Sequence, residues 1–172
     1  MRVELKYGLV AGLLMSAWML VEHLFGVHTV HLSAAPYTGI VGDLIPVVML
    51  HLLLRHQLAA LQRYWLPLWE GVLYGAAASL AAALVFYVFL NAYKFFLNPG
   101  WVDLQLEWRV AELRAAGAPE AQIREKLVGL RAAFGPVGLA LTIPLYVLAG
   151  GAVSALLTLW LNWRHKEIPR AD

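Results

Sequence analysis

The sequence predicts an all-α integral membrane four-helix bundle, with an extramembrane amphipathic helical hairpin between the third and fourth spans. Three observations predict it. Hydrophobic residues make up 61% of the 172 and charged residues only 14%, against roughly 45–50% and about 25% in soluble domains. Four stretches stay apolar for long enough to cross about 30 Å of hydrocarbon as helix. Seven Trp and seven Tyr enrich the chain in residues that favour the membrane–water interface.

The first span covers residues 7–25. It is expected to be retained rather than cleaved as a signal peptide. Glu4 dilutes the basic flank of Arg2 and Lys6, and Glu22 and His23 interrupt the end of the apolar run. The second span covers 39–61, the third 69–97 and the fourth 136–163, so residues 1–172 form a single transmembrane domain. Backbone groups in lipid must pair within their own segment, which requires helix here. A barrel would need alternating runs of about ten residues, and the sequence has none. Pro46 and Pro144 fall inside the second and fourth spans and should kink them.

The hairpin, residues 102–134, is where the composition changes. Ten of the charged residues lie there, from Asp103 to Arg131. Val102, Leu106, Val110 and Leu113 recur at helical spacing, as do Ile123, Leu127, Leu130 and Phe134. Gly117 should stop the first helix and Pro119 should sit in the first turn of the second. Such a pair can cap the bundle, lie in the interface or dock a partner.

Orientation follows the basic residues near span ends. Arg2, Lys6, Arg55, Arg63, Arg164, Lys166 and Arg170 fall on one side, whereas residues 26–38 contain no Lys or Arg. Both termini are therefore expected on the cytoplasmic side of a bacterial inner membrane. The mild net charge of +2 is spread through these flanks, which fits topology signals and no nucleic-acid partner. Packing has its own pattern. Gly8, Gly12 and Ser16 repeat every fourth residue in the first span, and Gly71, Gly75 and Ser79 in the third. Small residues at this spacing let helix backbones approach closely, within the bundle or in a homo-oligomer.

Several local motifs recur in a fixed order: Lys6-Tyr7-Gly8-Leu9-Val10-Ala11-Gly12, Trp69-Glu70-Gly71-Val72-Leu73-Tyr74-Gly75, Leu97-Asn98-Pro99-Gly100-Trp101, and Ala116-Gly117-Ala118-Pro119-Glu120-Ala121-Gln122-Ile123. In order and spacing the chain resembles the bacterial four-helix membrane family catalogued as domain of unknown function 4199. The resemblance spans nearly the whole chain and implies the four-helix fold; it brings no catalytic residue with it.

Ionisable residues inside spans are costly and mark candidate sites. Glu22, His23, Asp43, Asn91 and Lys94 all fall toward the hairpin end of their spans, and a polar site under the hairpin is expected, with Lys94 within reach of Glu22 or Asp43. The plainer reading has Lys94 snorkelling to headgroups beside Glu22, and Asp43 favoured by a helix N-terminus. His28, His31, Asp103 and Trp101 can approach from the loops. No metal is expected: His23, His28 and His31 straddle a helix end and a loop without a ligand motif. The absence of cysteine removes disulfides, thiolate catalysis and cysteine-ligated centres. No nucleophile elbow, phosphate loop or dinucleotide fingerprint is present, so no catalytic residue and no cofactor is assigned. The leading expectation is a non-catalytic accessory or assembly subunit in contact with membrane lipids and a protein partner. The alternative is a carrier or channel for a proton, ion or small lipophilic substrate.

Overall fold

Why each apolar run becomes one long helix is clear from its ends. A computed structural model describes residues 2–166 and holds six α-helices with no strand among them. Arg170, counted above as a topology signal, lies outside these residues. Helix α1 runs Val3–Leu24, α2 Ala35–Ala60, α3 Leu68–Ala92, α4 Trp101–Ala115, α5 Glu120–Phe134 and α6 Pro136–Lys166. Helices α1, α2, α3 and α6 are long and apolar enough to cross a membrane. Their outer faces carry exposed Leu13, Leu44, Leu73, Val88 and Leu148, as lipid contact demands.

Two boundaries differ from a reading of hydropathy alone. Helix α2 begins at Ala35, after a 3₁₀ turn over Leu32–Ala34, and so takes in Pro36. A first helical turn needs no backbone donor, so proline is at home there. Pro119, expected in the first turn of α5, sits just before it with extended backbone (φ −62°, ψ 144°). Gly117 does terminate the preceding helix, at φ +74°, a conformation glycine reaches without a Cβ penalty.

Helix α3 is the spine, packing most extensively against α6 and α1. A Cβ on Gly8 would strike the Ala78 carbonyl, and one on Gly12 would lie 2.7 Å from Val85 Cβ. On its other side α3 meets α6 reciprocally. Ser154 sits over Gly75, Thr158 over Gly71, and Ser79 over Gly150. Contact this close gains dispersion along the whole seam, since lipid supplies little hydrophobic drive between helices. At the terminal end the seam is pinned by an amide clamp. Leu66 N–H donates to Asn162 Oδ1 at 3.0 Å, and Asn162 Nδ2 donates to the Leu66 carbonyl at 2.8 Å. At the opposite end α4 and α5 form the helical hairpin, where Leu106 and Ile123 are buried.

Candidate functional site

The hairpin end of the bundle holds a cluster of polar side chains around one phenol. Helix α3 does not end as an α-helix: Tyr93–Leu97 form a π-turn, closed by Asn98 N–H donating to the Tyr93 carbonyl at 2.8 Å. The wider turn accommodates one extra residue. It leaves the Asn98 side chain buried and folded back, with Nδ2 donating to the Tyr93 hydroxyl at 3.2 Å and to the His28 carbonyl at 3.4 Å. Tyr93 itself is 0% exposed.

Two imidazoles meet the same hydroxyl. His23 Nδ1, from the last turn of α1, is 2.9 Å away, and His28 Nδ1, from the following loop, is 3.0 Å away. On its far side His28 Nε2 lies 3.5 Å from Glu22 Oε2, and both side chains are buried. Loop 25–31 is brought there by a turn at Gly26 (φ +74°). Its carbonyl accepts from Thr29, Val30 and His31 N–H.

The proton positions follow from these contacts. Burial is the main cause that holds His28 below its ordinary pKa. The Glu22 carboxylate pulls upward, His23 pushes downward, and the hydrogen bond to Glu22 raises it slightly. A neutral His28 that donates from Nε2 to Glu22 has a bare Nδ1, which accepts the one Tyr93 hydroxyl proton. The Tyr93 oxygen then accepts from His23 Nδ1–H and from Asn98. Each residue of the chain Glu22–His28–Tyr93–His23 thus has a neighbour in it.

Aromatic rings wall this network. The Tyr93 ring meets His23, His28 and Trp101 at centroid distances of 5.4, 5.7 and 5.9 Å, and Trp101 meets Phe134 at 5.5 Å. The Trp101 indole N–H is buried and has no acceptor among the described residues.

The five side chains expected in one site are divided. Glu22 and His23 belong to the network. Asn91 Nδ2 donates to the Tyr87 carbonyl one turn back, at 2.8 Å. Lys94 does not pair with Glu22 or Asp43: its Nζ donates to the Phe134 carbonyl at 2.6 Å. Phe134 is the last residue of α5, where carbonyls lack intrahelical partners and the helix dipole is negative, so an ammonium is well placed. Asp43 lies elsewhere, in a groove of about 400 Å³ between α2 and α6, lined also by Pro46, Val47, Ser79, Thr142 and Tyr146. The described residues contain no cluster of three or more His, Cys, Asp or Glu that could hold a metal ion.

From sequence alone neither Tyr93 nor Asn98 nor Asn162 stands out as a polar partner. The helix-stopping Asn98-Pro99-Gly100 was the available sign that the end of the third span is irregular. Asn162 gave no such sign, since its partner is a backbone 96 residues away.

The chain matches the family described as "Protein of unknown function (DUF4199)" over residues 6–159. Neither the curated proteins nor the solved structures contain a match to it.

Proposed function

The chain belongs to the DUF4199 family, and on that premise we propose that it is a non-catalytic membrane component, an accessory or assembly subunit that offers its α4–α5 hairpin to a partner protein or a second copy. One observation carries this reading: the polar side chains gathered at the hairpin end satisfy one another. Glu22, His23, His28, Tyr93 and Asn98 are joined at 2.9–3.5 Å, and Lys94 caps α5. A catalytic or transport site keeps convergent polar groups open to a cavity. Here they tie loop 25–31 and the foot of the hairpin to the bundle.

The hairpin has the character of a docking element. Between its helices runs a groove lined by Leu106, Val110, Leu127 and Val128 together with Asp103, Glu107, Arg114 and Arg131. Val128 is 72% exposed. Apolar and charged side chains mixed in this way suit an amphipathic helix. The basic flanks support a location in a bacterial inner membrane with both termini cytoplasmic and the hairpin outside.

Reconstitution tests the reading. Purified protein in vesicles that carry a trapped pH dye and imposed proton and potassium gradients should leak no faster than empty vesicles. A saturable proton or ion flux would make the protein a carrier and end the subunit proposal. Topology is tested by cysteines at Tyr64 and Gln122, both exposed. An impermeant reagent on intact cells should label position 122 and spare position 64.

A further inference from the structure

The bundle is tight along α1–α3 and α3–α6, whereas α2 and α6 meet less extensively, and between them lies the groove that contains Asp43. We propose that this groove binds a lipophilic organic cation, a molecule with an apolar body and one ammonium centre, and that Asp43 is its counter-ion. The site goes beyond the subunit role and does not depend on it.

Size comes first. At about 400 Å³ the groove falls within the roughly 300–1,000 Å³ of small-molecule sites. Its walls are Pro46, Val47 and Leu50 from α2 and Leu145, Ala149 and Val153 from α6, with Ser79 of α3 and Gly150 of α6 also lining it. Charge decides the ligand class. Asp43 lies just over two turns into α2, about 12 Å along the helix from Ala35, within the span Leu32–Ala60. A carboxylate within a span is expensive in lipid unless it meets a positive charge or water. Among the described residues Asp43 forms no ion pair; Lys94, the nearest expectation from sequence, is bound to the Phe134 carbonyl.

The chemistry also narrows the cation. Calcium and magnesium need about six or more oxygen ligands, whereas the groove supplies one carboxylate and the hydroxyls of Ser79, Thr142 and Tyr146. Thr142 already donates to the Leu139 carbonyl at 2.6 Å. A single negative charge in an apolar slot matches an ammonium attached to hydrocarbon, which carries its charge without demanding a coordination shell. Entry is lateral from the bilayer, since Asp43, Leu145 and Thr142 are exposed on the face of the bundle.

The test uses the full-length protein in phosphatidylcholine nanodiscs, titrated calorimetrically against empty discs. The probe is dodecyltrimethylammonium below its micelle threshold, with dodecanol as its uncharged counterpart. Saturable one-to-one binding of the ammonium is expected, with dodecanol weaker by about tenfold or more, a factor that corresponds to one favourable charge contact. Asp43→Asn should bring the ammonium to the level of dodecanol while melting as the parent does. Val47→Trp, which fills the slot, should abolish both. Equal binding of the two probes, or an ammonium affinity unchanged in Asp43→Asn, overturns the proposal. So does Asp43-dependent capture of a lysine-bearing Leu/Ala membrane peptide without ammonium binding, which would give the groove to a protein helix.

Discussion

The Tyr93 hydroxyl stands 3.0 Å from His28 Nδ1, a contact by which the end of the third span holds the loop that follows the first. The same oxygen is 2.9 Å from His23 and 3.2 Å from Asn98. Tyr93→Phe keeps the ring and removes the hub. His23, His28 and Asn98 then each lose a partner inside a buried shell, where an unsatisfied group costs about 1–3 kcal/mol. The expected loss is roughly 2–4 kcal/mol in total, seen as a lower melting temperature in detergent. A parental melt would show that the hydroxyl is not the keystone.

His28 gives the fold a pH dependence with a definite sign. Its folded pKa lies below the unfolded 6.5 because of burial. Between those two values the unfolded chain binds more protons, so stability is full above about 6.5 and declines as pH falls toward the folded value. Melts between pH 8 and 5 should show this decline, and His28→Gln should flatten it. If stability rises on acidification, the imidazole is charged in the folded state and the proton assignment here is reversed.

Lys94 is expected to act alone. Its hydrogen bond reaches the Phe134 carbonyl at 2.6 Å, so Lys94→Met should cost about 1.5–3 kcal/mol, the range for hydrogen bonds to charged groups. Glu22→Gln disturbs a different contact, and the double variant should be additive within roughly 0.5 kcal/mol. Marked non-additivity would instead reveal a Lys94–Glu22 pair.

The α3–α6 seam tolerates loss and rejects gain. Ser154 is fully buried, its hydroxyl has no partner among the described residues, and it sits over Gly75. Ser154→Ala removes an unpaired polar group and should leave stability equal or higher. Gly75→Leu drives a side chain into Ser154 and should destabilise by about 1–3 kcal/mol or more. A Gly75→Leu protein that melts like the parent would contradict this close approach.

How far the sequence carried depends on the range of the forces involved. The four spans were legible because lipid imposes its demand on each segment separately: some twenty apolar residues, paired with themselves. Gly117 ended its helix as its backbone freedom requires, and Glu22 and His23 were singled out by their cost in a span. The partners were not legible. Lys94 could be read as seeking a carboxylate, yet the nearest favourable group was the carbonyl end of α5, forty positions later in the chain. Tyr93 looked like any interfacial aromatic until the π-turn aimed its hydroxyl at two imidazoles 65 and 70 residues earlier. Asp43 looked like one more member of that cluster; instead α2 presents it to the gap beside α6. Local composition determines which segments enter the membrane. The rotation and end geometry of each helix, which depend on packing against the others, decide which polar atoms meet, and that information exists only once the bundle is closed.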